Sequence, residues 1–544
     1  MYQGCIKVAA RGVYAVTLSI HAATLCARRG SEGAGLPRAF APGANASGHA
    51  AGSLYAMEIA LHEWLLDSPL RTLDPKEAHL FYVPLYAASV FMYPVVKFAD
   101  APYYGRAARE PRQRSHQAAL LMLRALEYVR TAFPFWNASG GRDHVWTMLH
   151  DEGPCFCPRA LRPSILLTHY GYYAPTPRPW GTFADDNFLL DRGFYARHLG
   201  DPAAPTPCFD RAKDLVIPPW KPPSFWKRAL RDPALVAAAT PVAAATPTAS
   251  LAAAPTAAAA ATSAADIAAP PRRSKLVFFA GDLGFNRLGG YSRDLRQRAH
   301  ALFCDPATTR KRDCTPVAYH QPCDCECRKD IPITCALWEE GVTIATHSPA
   351  YHQELLRHTF CLAFPGDGWS SRVLDGVTHG CIPVVIEDES RMFFEGAFTE
   401  AGLPLDYANF SVRISEAELP RLVAILRAVP PAKVAAMQRA VLWVRDYFVY
   451  KDMYNPDAAN RRRLLSSGRP GQDAFLLLVK ALESRARGLG RLRATPADEQ
   501  HASGLPQWAV ATSSGMADRG RRRRFPPVPR GLPRRARRRG TMGH

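Results

Sequence analysis

The sequence predicts an α/β protein, and three observations carry that prediction. Short apolar runs rich in β-branched and aromatic residues alternate with stretches whose apolar positions recur at helical spacing. Most of the runs end in loops rich in polar residues, Gly or Pro. One of them, Ile382 to Ile386, is apolar throughout, as a parallel strand buried on both faces requires.

In chain order, Leu54 to Leu66 has helical periodicity and Ala78 to Pro84 reads as a buried strand. Ala118 to Arg130 is a second helix, and Ile165 to Thr168 and Asp214 to Ile217 are short strands. A second series begins with the strand Lys275 to Ala280, followed by Gly281-Asp282. Arg293 to Phe303 and Ser348 to His358 read as helices, and Phe360 to Phe364 as a strand. Pro365, Gly366 and Gly368 break that strand, and Ser370 and Ser371 are placed to cap a helix that carries Val373, Leu374 and Val377 on one face. Gly380 stops this helix before the strand at Ile382. Leu419 to Ala428, Ala432 to Tyr450 and Asp473 to Ser484 are helices, the last able to pack back on the first series.

Composition divides the 544 residues further. Residues 1–52 carry no clear pattern, and 53–222 hold the first α/β series. The Ala/Pro/Thr-rich stretch 223–273 reads as a linker between domains. Residues 274–488 hold the second series, with a Cys-rich insert at 304–335. The Arg-rich tail 489–544 reads as disordered. Its last 26 residues carry 11 Arg and no acid, more than half of the net charge of +20. They form a solvated end, or a contact for an acidic polysaccharide or a phospholipid surface. Nucleic acid is a poorer partner, because the tail has one aromatic residue, Phe525, and no recognisable module accompanies it.

There are 13 Cys. Cys323, Cys325 and Cys327 alternate without the usual C-x2-C spacing of a zinc site, so disulfides in an oxidising lumen are the better reading. Cys155, Cys157 and Cys208 contribute a further bridge. Asn45, Asn137 and Asn409 stand in N-glycosylation tripeptides. The apolar stretch Val13 to Cys26 is interrupted by His21 and too short to span a bilayer, and would make a poor signal-peptide core.

The chemistry concentrates in the stretch from Phe360 to Ile386. A Gly-rich loop feeding a helix start offers free N–H groups to a phosphate or diphosphate. Arg372 adds a guanidinium fork matched to phosphate oxygens, and Ser370 and Ser371 add hydroxyls. Asp375, one turn on, is placed to accept from ribose hydroxyls, and Asp367 to hold the loop. Trp369 lies in the loop itself and suits the edge of a sugar ring. Glu387-Asp388-Glu389 reads as a solvated strand end more than a metal cluster. With Arg372 and the helix terminus handling the phosphates, the sequence predicts chemistry that requires no metal. In the first series, Asp143 and His144 of Gly141-Arg-Asp-His144, and Asp151 of His150-Asp151, are the candidates for a base; the alternative for the first block is a loop tied by its own side chains.

The block Pro365-Gly-Asp-Gly-Trp-Ser-Ser-Arg372, followed by Gly380-Cys-Ile-Pro-Val384, resembles the signature of the exostosin family, glycosyltransferase family 47. Further blocks resemble the family in its order: Leu54 to His62, Arg71 to Pro84, Phe133 to His144, Cys208-Phe-Asp210, Asp214 to Pro223, and Phe393-Phe-Glu-Gly396. The resemblance implies two Rossmann-like domains facing a cleft, the arrangement called GT-B. The first domain would take the acceptor and the second the nucleotide sugar. It implies an inverting transfer from a nucleotide-sugar donor, expected to be a UDP-sugar, to a polysaccharide or glycoprotein acceptor. Gly366, Asp367, Gly368, Ser370, Ser371, Arg372, Asp375 and Glu395 would form the donor site. It also implies a Golgi location with an N-terminal membrane anchor, which this sequence does not display. An inactive carbohydrate-binding or scaffold protein that has kept the fold is the alternative.

Overall fold

The computed structural model describes residues 14–15, 57–66, 68–87, 112–151, 153–174, 197–198, 207–232, 235, 273–284, 291–303, 341–403, 405–451 and 472–492. The Cys-rich insert, Asn45, the Arg-rich tail beyond 492 and residues 236–272 of the Ala/Pro/Thr-rich stretch lie outside the described residues, while that stretch opens with the helix Pro223–Leu230, whose Trp226 and Leu230 are buried.

Two parallel five-stranded sheets organise the chain. The first contains β1 (Tyr14–Ala15), β2 (Phe81–Val83), β3 (His144–Met148), β4 (Ile165–Thr168) and, after the two-residue β5 (Gly171–Tyr172), β6 (Leu215–Val216). Its order is β1-β2-β3-β4-β6, parallel throughout. The second contains β7 (Lys275–Ala280), β8 (Val342–Ala345), β9 (His358–Ala363), β10 (Ile382–Val385) and, after β11 (Ser390–Arg391), β12 (Val412–Arg413). Its order is β12-β10-β9-β7-β8, also parallel. Every residue of β3, β4 and β10 is buried, as a sheet covered on both faces demands. Pro383 is tolerated inside β10 because β12 pairs only with Val384 and Val385.

The order of the second sheet has a consequence for ligands. From β7 the chain moves to one edge, β8, and then returns past β7 to β9 and β10. The direction of winding therefore reverses between β7 and β9. In open α/β sheets the crevice outside the carboxyl ends at such a reversal is where ligands sit. The two loops that border it are Gly281–Gly284 after β7 and the Gly-rich loop 364–371 after β9.

The sheets meet through loops at their carboxyl ends. Asp151, beyond β3, lies against Gly368, beyond β9. The Phe394 N–H donates to the Val216 carbonyl at 2.6 Å, and β5 pairs antiparallel with β11. The helix Ala474–Gly488 returns to the first sheet's side, stacking Phe475 on Trp64 with ring centroids 4.2 Å apart. One continuous apolar core runs through both halves.

Some local readings change. The helix expected from Arg293 begins at Leu295, because Ser292, Arg293 and Asp294 form a left-handed turn with φ of 56°, 51° and 59°. Cys155 pairs with Cys208, while Cys157 is a buried free thiol whose pKa burial pushes up to about 12. A second disulfide, Cys361–Cys381, ties β9 to the turn before β10 and was not anticipated. No helix among the described residues is long and apolar enough to cross a membrane.

Candidate functional site

The Gly-rich loop holds its shape through its own backbone, the Gly366 N–H donating to the Trp369 carbonyl at 3.2 Å. Ser370 Oγ accepts from the Arg372 N–H at 3.3 Å, so Ser370 caps the helix Arg372–Thr378. Ser371 makes no cap hydrogen bond, against expectation, since its backbone is already helical. The helix has seven residues, so its dipole is short and side chains must supply most of the positive charge.

Arg372 supplies the first guanidinium. Its Nη1 donates to Asp375 Oδ2 at 2.8 Å, and its plane lies over the Tyr351 ring at 5.3 Å. Its Nη2 rests beside Gly281 in the loop after β7, where a Cβ would come within 2.9 Å of it. Its Nε is buried without a partner. Arg372 thus reaches across the reversal point from β9 to β7, tethered on one edge and unengaged at Nε.

Asp375 is wholly buried and ringed by donors: Arg372, the Tyr351 hydroxyl at 2.8 Å and Lys221 Nζ at 2.9 Å. Burial alone would raise its carboxyl, but Lys221, Arg372 and Tyr351 outweigh it and hold the pKa below the usual carboxylate range. The carboxylate that the sequence assigns to ribose hydroxyls thus holds the two cations. Lys221 comes from the first half, so the buried cluster also bridges the halves.

Arg296 is a second guanidinium that sequence reasoning did not single out. It is buried, donating to the Asp282 carbonyl at 2.8 Å, the Tyr291 hydroxyl at 2.6 Å and the Phe364 carbonyl at 3.4 Å. Its Nη2 would lie 3.6 Å from a Cβ on Gly366. Burial lowers its pKa, and the like charge of Arg372 lowers it further. Asp367 contributes negative charge to the same neighbourhood. Two guanidiniums therefore share the neighbourhood of the loop, close enough to repel each other, and a bound anion would relieve that repulsion.

The base candidates separate. Asp151 lies at the carboxyl edge, its backbone against Gly368. Asp143 and His144 lie at the opposite, amino end of β3, about 16 Å of strand away at 3.3 Å per residue. Both are 1% exposed. Asp143 is held by His144 Nδ1 at 2.9 Å, Ser139 Oγ at 2.5 Å and Arg491. Burial pushes its carboxyl up, and the hydrogen bonds from His144 and Ser139 more than offset that, leaving it lowered. Asp143 and His144 are thus buried and engaged at the end of β3 away from Asp151. They bind a turn together, and Arg491 joins them to the end of the last described helix.

Glu395 accepts from the Met392 N–H at 2.8 Å and from Arg413 at 2.7 Å, and so braces its own turn. Glu387 is buried where a solvated strand end was expected. Burial raises its pKa to about 7, partly offset by Arg293, which also holds Glu416. Trp369 packs inward, 7% exposed, with its ring on His169 and its edge to Phe393. Among the described residues no group of three His, Cys, Asp or Glu side chains is placed to hold a metal ion. Lys221, Tyr351 and Arg296 carried no local signal, since each joins the site only through contacts between distant segments.

Residues 13–429 match the exostosin GT47 domain. The chain is 28% identical over 395 residues to a "Probable glucuronosyltransferase" of Oryza sativa subsp. japonica, covering 71% of this chain and 66% of that protein, just under two thirds. It is 25% identical over 392 residues to a "Probable beta-1,4-xylosyltransferase" of Arabidopsis thaliana, covering 71% and 67%. A "Probable glucuronoxylan glucuronosyltransferase" of Arabidopsis thaliana is 24% identical over 407 residues, with 72% and 62% covered. With the domain match spanning most of its length and the loop of Arg372 at the reversal point of a parallel sheet, the chain belongs to the exostosin GT47 family.

Proposed function

We propose that this protein is a glycosyltransferase that moves a sugar from a nucleoside diphosphate donor, a UDP-sugar, to a hydroxyl of a glycan. The observation that carries the reading is the convergence of Arg372, beside Gly281, and Arg296, beside Gly366 and the Asp282 carbonyl, at the point where the second sheet reverses. Both have a buried Nε without a partner. Unpaired buried donors are costly, and a diphosphate supplies the missing acceptors. Ser370 and Ser371 add hydroxyls on the same loop. The names of the relatives, glucuronosyl- and xylosyltransferase, support a sugar nucleotide donor and a polysaccharide acceptor.

In this reading the halves form a GT-B arrangement with the donor held by the second. The acceptor oxygen attacks the anomeric carbon from the face opposite the diphosphate, so the configuration inverts. The bond from that carbon to the phosphate oxygen breaks, and the diphosphate leaves with the electron pair. The guanidiniums carry the charge that develops there, and preorganised charge of this kind contributes a few kcal/mol to a transition state. Asp151, alone of the three candidate bases at the carboxyl edge, takes the acceptor proton. The Cys155–Cys208 and Cys361–Cys381 disulfides support a secretory-pathway compartment.

Incubating the full chain with UDP-glucuronate, UDP-xylose, UDP-galactose and UDP-N-acetylglucosamine, with and without xylo-oligosaccharides, tests this. Release of UDP from at least one donor, increased by acceptor, is the expected result. No release from any of them would overturn the reading.

A further inference from the structure

The seam between the halves contains a second set of orphaned polar atoms, apart from the two guanidiniums. His169 follows β4 at the first sheet's carboxyl edge and is 1% exposed. Its Nδ1–H donates to the Ile217 carbonyl at 2.8 Å, which fixes the tautomer and leaves Nε2 a bare lone pair. Burial keeps the ring neutral, with a pKa of about 4. Nε2 has no partner, although it is buried. The imidazole lies against the Trp369 indole, ring centroids 4.8 Å apart. Trp369 Nε1–H is likewise buried without a partner. An unpartnered acceptor from the first half and an unpartnered donor from the second therefore belong to two rings in contact.

Their chemistry narrows what would satisfy them. A carboxylate or phosphate oxygen accepts from the indole but gives nothing to Nε2. An ammonium donates to Nε2 but offers the indole nothing. A hydroxyl does both, donating to the imidazole and accepting from the indole. Trp369 stands three residues before Arg372 on the same loop, and the sugar of a nucleotide sugar is bonded directly to the terminal phosphate.

We propose that His169 and Trp369 form the subsite that recognises a hydroxyl of the transferred sugar, with Nε2 accepting from it and the indole N–H donating to it. This rests on the donor reading above. It gives the first half a direct hand on the donor sugar, so that selection of the sugar depends on the two halves meeting.

Isothermal titration of the full chain with UDP and with UDP-glucuronate, UDP-xylose and UDP-galactose tests the subsite. The variants are His169→Phe, which keeps a ring against Trp369, and Trp369→Phe, which keeps an apolar ring without the donor. Each should leave the Kd for UDP at the parent's value and weaken the preferred UDP-sugar about tenfold, the loss of one hydrogen bond. If both bind every UDP-sugar as the parent does, the subsite is overturned and the diphosphate reading stands. If the parent binds neither UDP nor any UDP-sugar, the donor reading falls and the subsite with it. Should His169→Phe fail to fold, Trp369→Phe decides the matter alone.

Discussion

Asp151 and Gly368 touch through their backbones across the seam: a Cβ on Gly368 would stand 1.8 Å from the Asp151 carbonyl oxygen. The obstacle is main chain and cannot rotate away, so only glycine lets the two carboxyl edges approach this closely. Gly368→Ala should push the loop off the first half, costing about 3 kcal/mol, the upper end for an overpacked site. Urea denaturation reads the loss, and an unchanged midpoint would show that the seam tolerates separation.

The buried cluster of Asp375, Lys221, Arg372 and Tyr351 predicts a second outcome. Asp375→Ala leaves two cations without their shared anion. Breaking a buried pair from one side costs about 3–5 kcal/mol. Lys221→Met, which leaves Asp375 still bound by Arg372 and Tyr351, should cost less. Chemical denaturation of both variants gives the order, and the reverse order would show that Lys221 is the principal counter-ion.

Asp143 and His144 illustrate what was legible in the sequence and what was not. The alternation of apolar runs and helical stretches was read correctly because it is local: β4, β7 and β10 fall within a residue of their expected positions. His144–Met148 is equally a strand, but the ionisable pair Asp143-His144 at its start masks the apolar pattern that marks one. Once β3 is seen, Asp143 precedes it and Asp151 follows it, which puts them at opposite ends of a sheet. The loop of Arg372 was visible as a motif. Its partners Lys221, Tyr351 and Arg296, and the contact of His169 with Trp369, join residues remote in the chain, and no period or spacing encodes them.

That assignment makes its own prediction. Asp143→Asn should lower stability by about 1–3 kcal/mol through the weakened hydrogen bonds to Ser139, His144 and Arg491, and leave UDP affinity at the parent's value. Loss of UDP binding in a folded Asp143→Asn protein would return this residue to the donor site.

Acid should weaken the fold as pH falls below 6.5. Burial lowers His62, His169, His358 and His379 to about 4, from an ordinary 6.5. The unfolded chain therefore takes up these protons first as pH falls. Each histidine's contribution is complete above 6.5 and is lost toward 4, at up to about 1.4 kcal/mol per pH unit. Asp214, raised to about 6, and Glu387, raised to about 7, act oppositely: their contribution is present at low pH and is lost as pH rises through those values. The four histidines outweigh the two carboxyls, so Tm should fall between pH 6.5 and 4.5. A flat or rising Tm over that interval would contradict the burial of these rings.

The central claim is that Arg372, beside Gly281 and near Arg296, grips a diphosphate. Titration of UDP into the full chain and into Arg372→Lys tests it most directly, because lysine keeps the charge that Asp375 needs while losing the guanidinium fork. The account predicts measurable UDP binding by the parent and a loss of at least about tenfold in the variant, roughly one charge-assisted hydrogen bond. Equal affinity in the two proteins, or no binding by the parent, would contradict it.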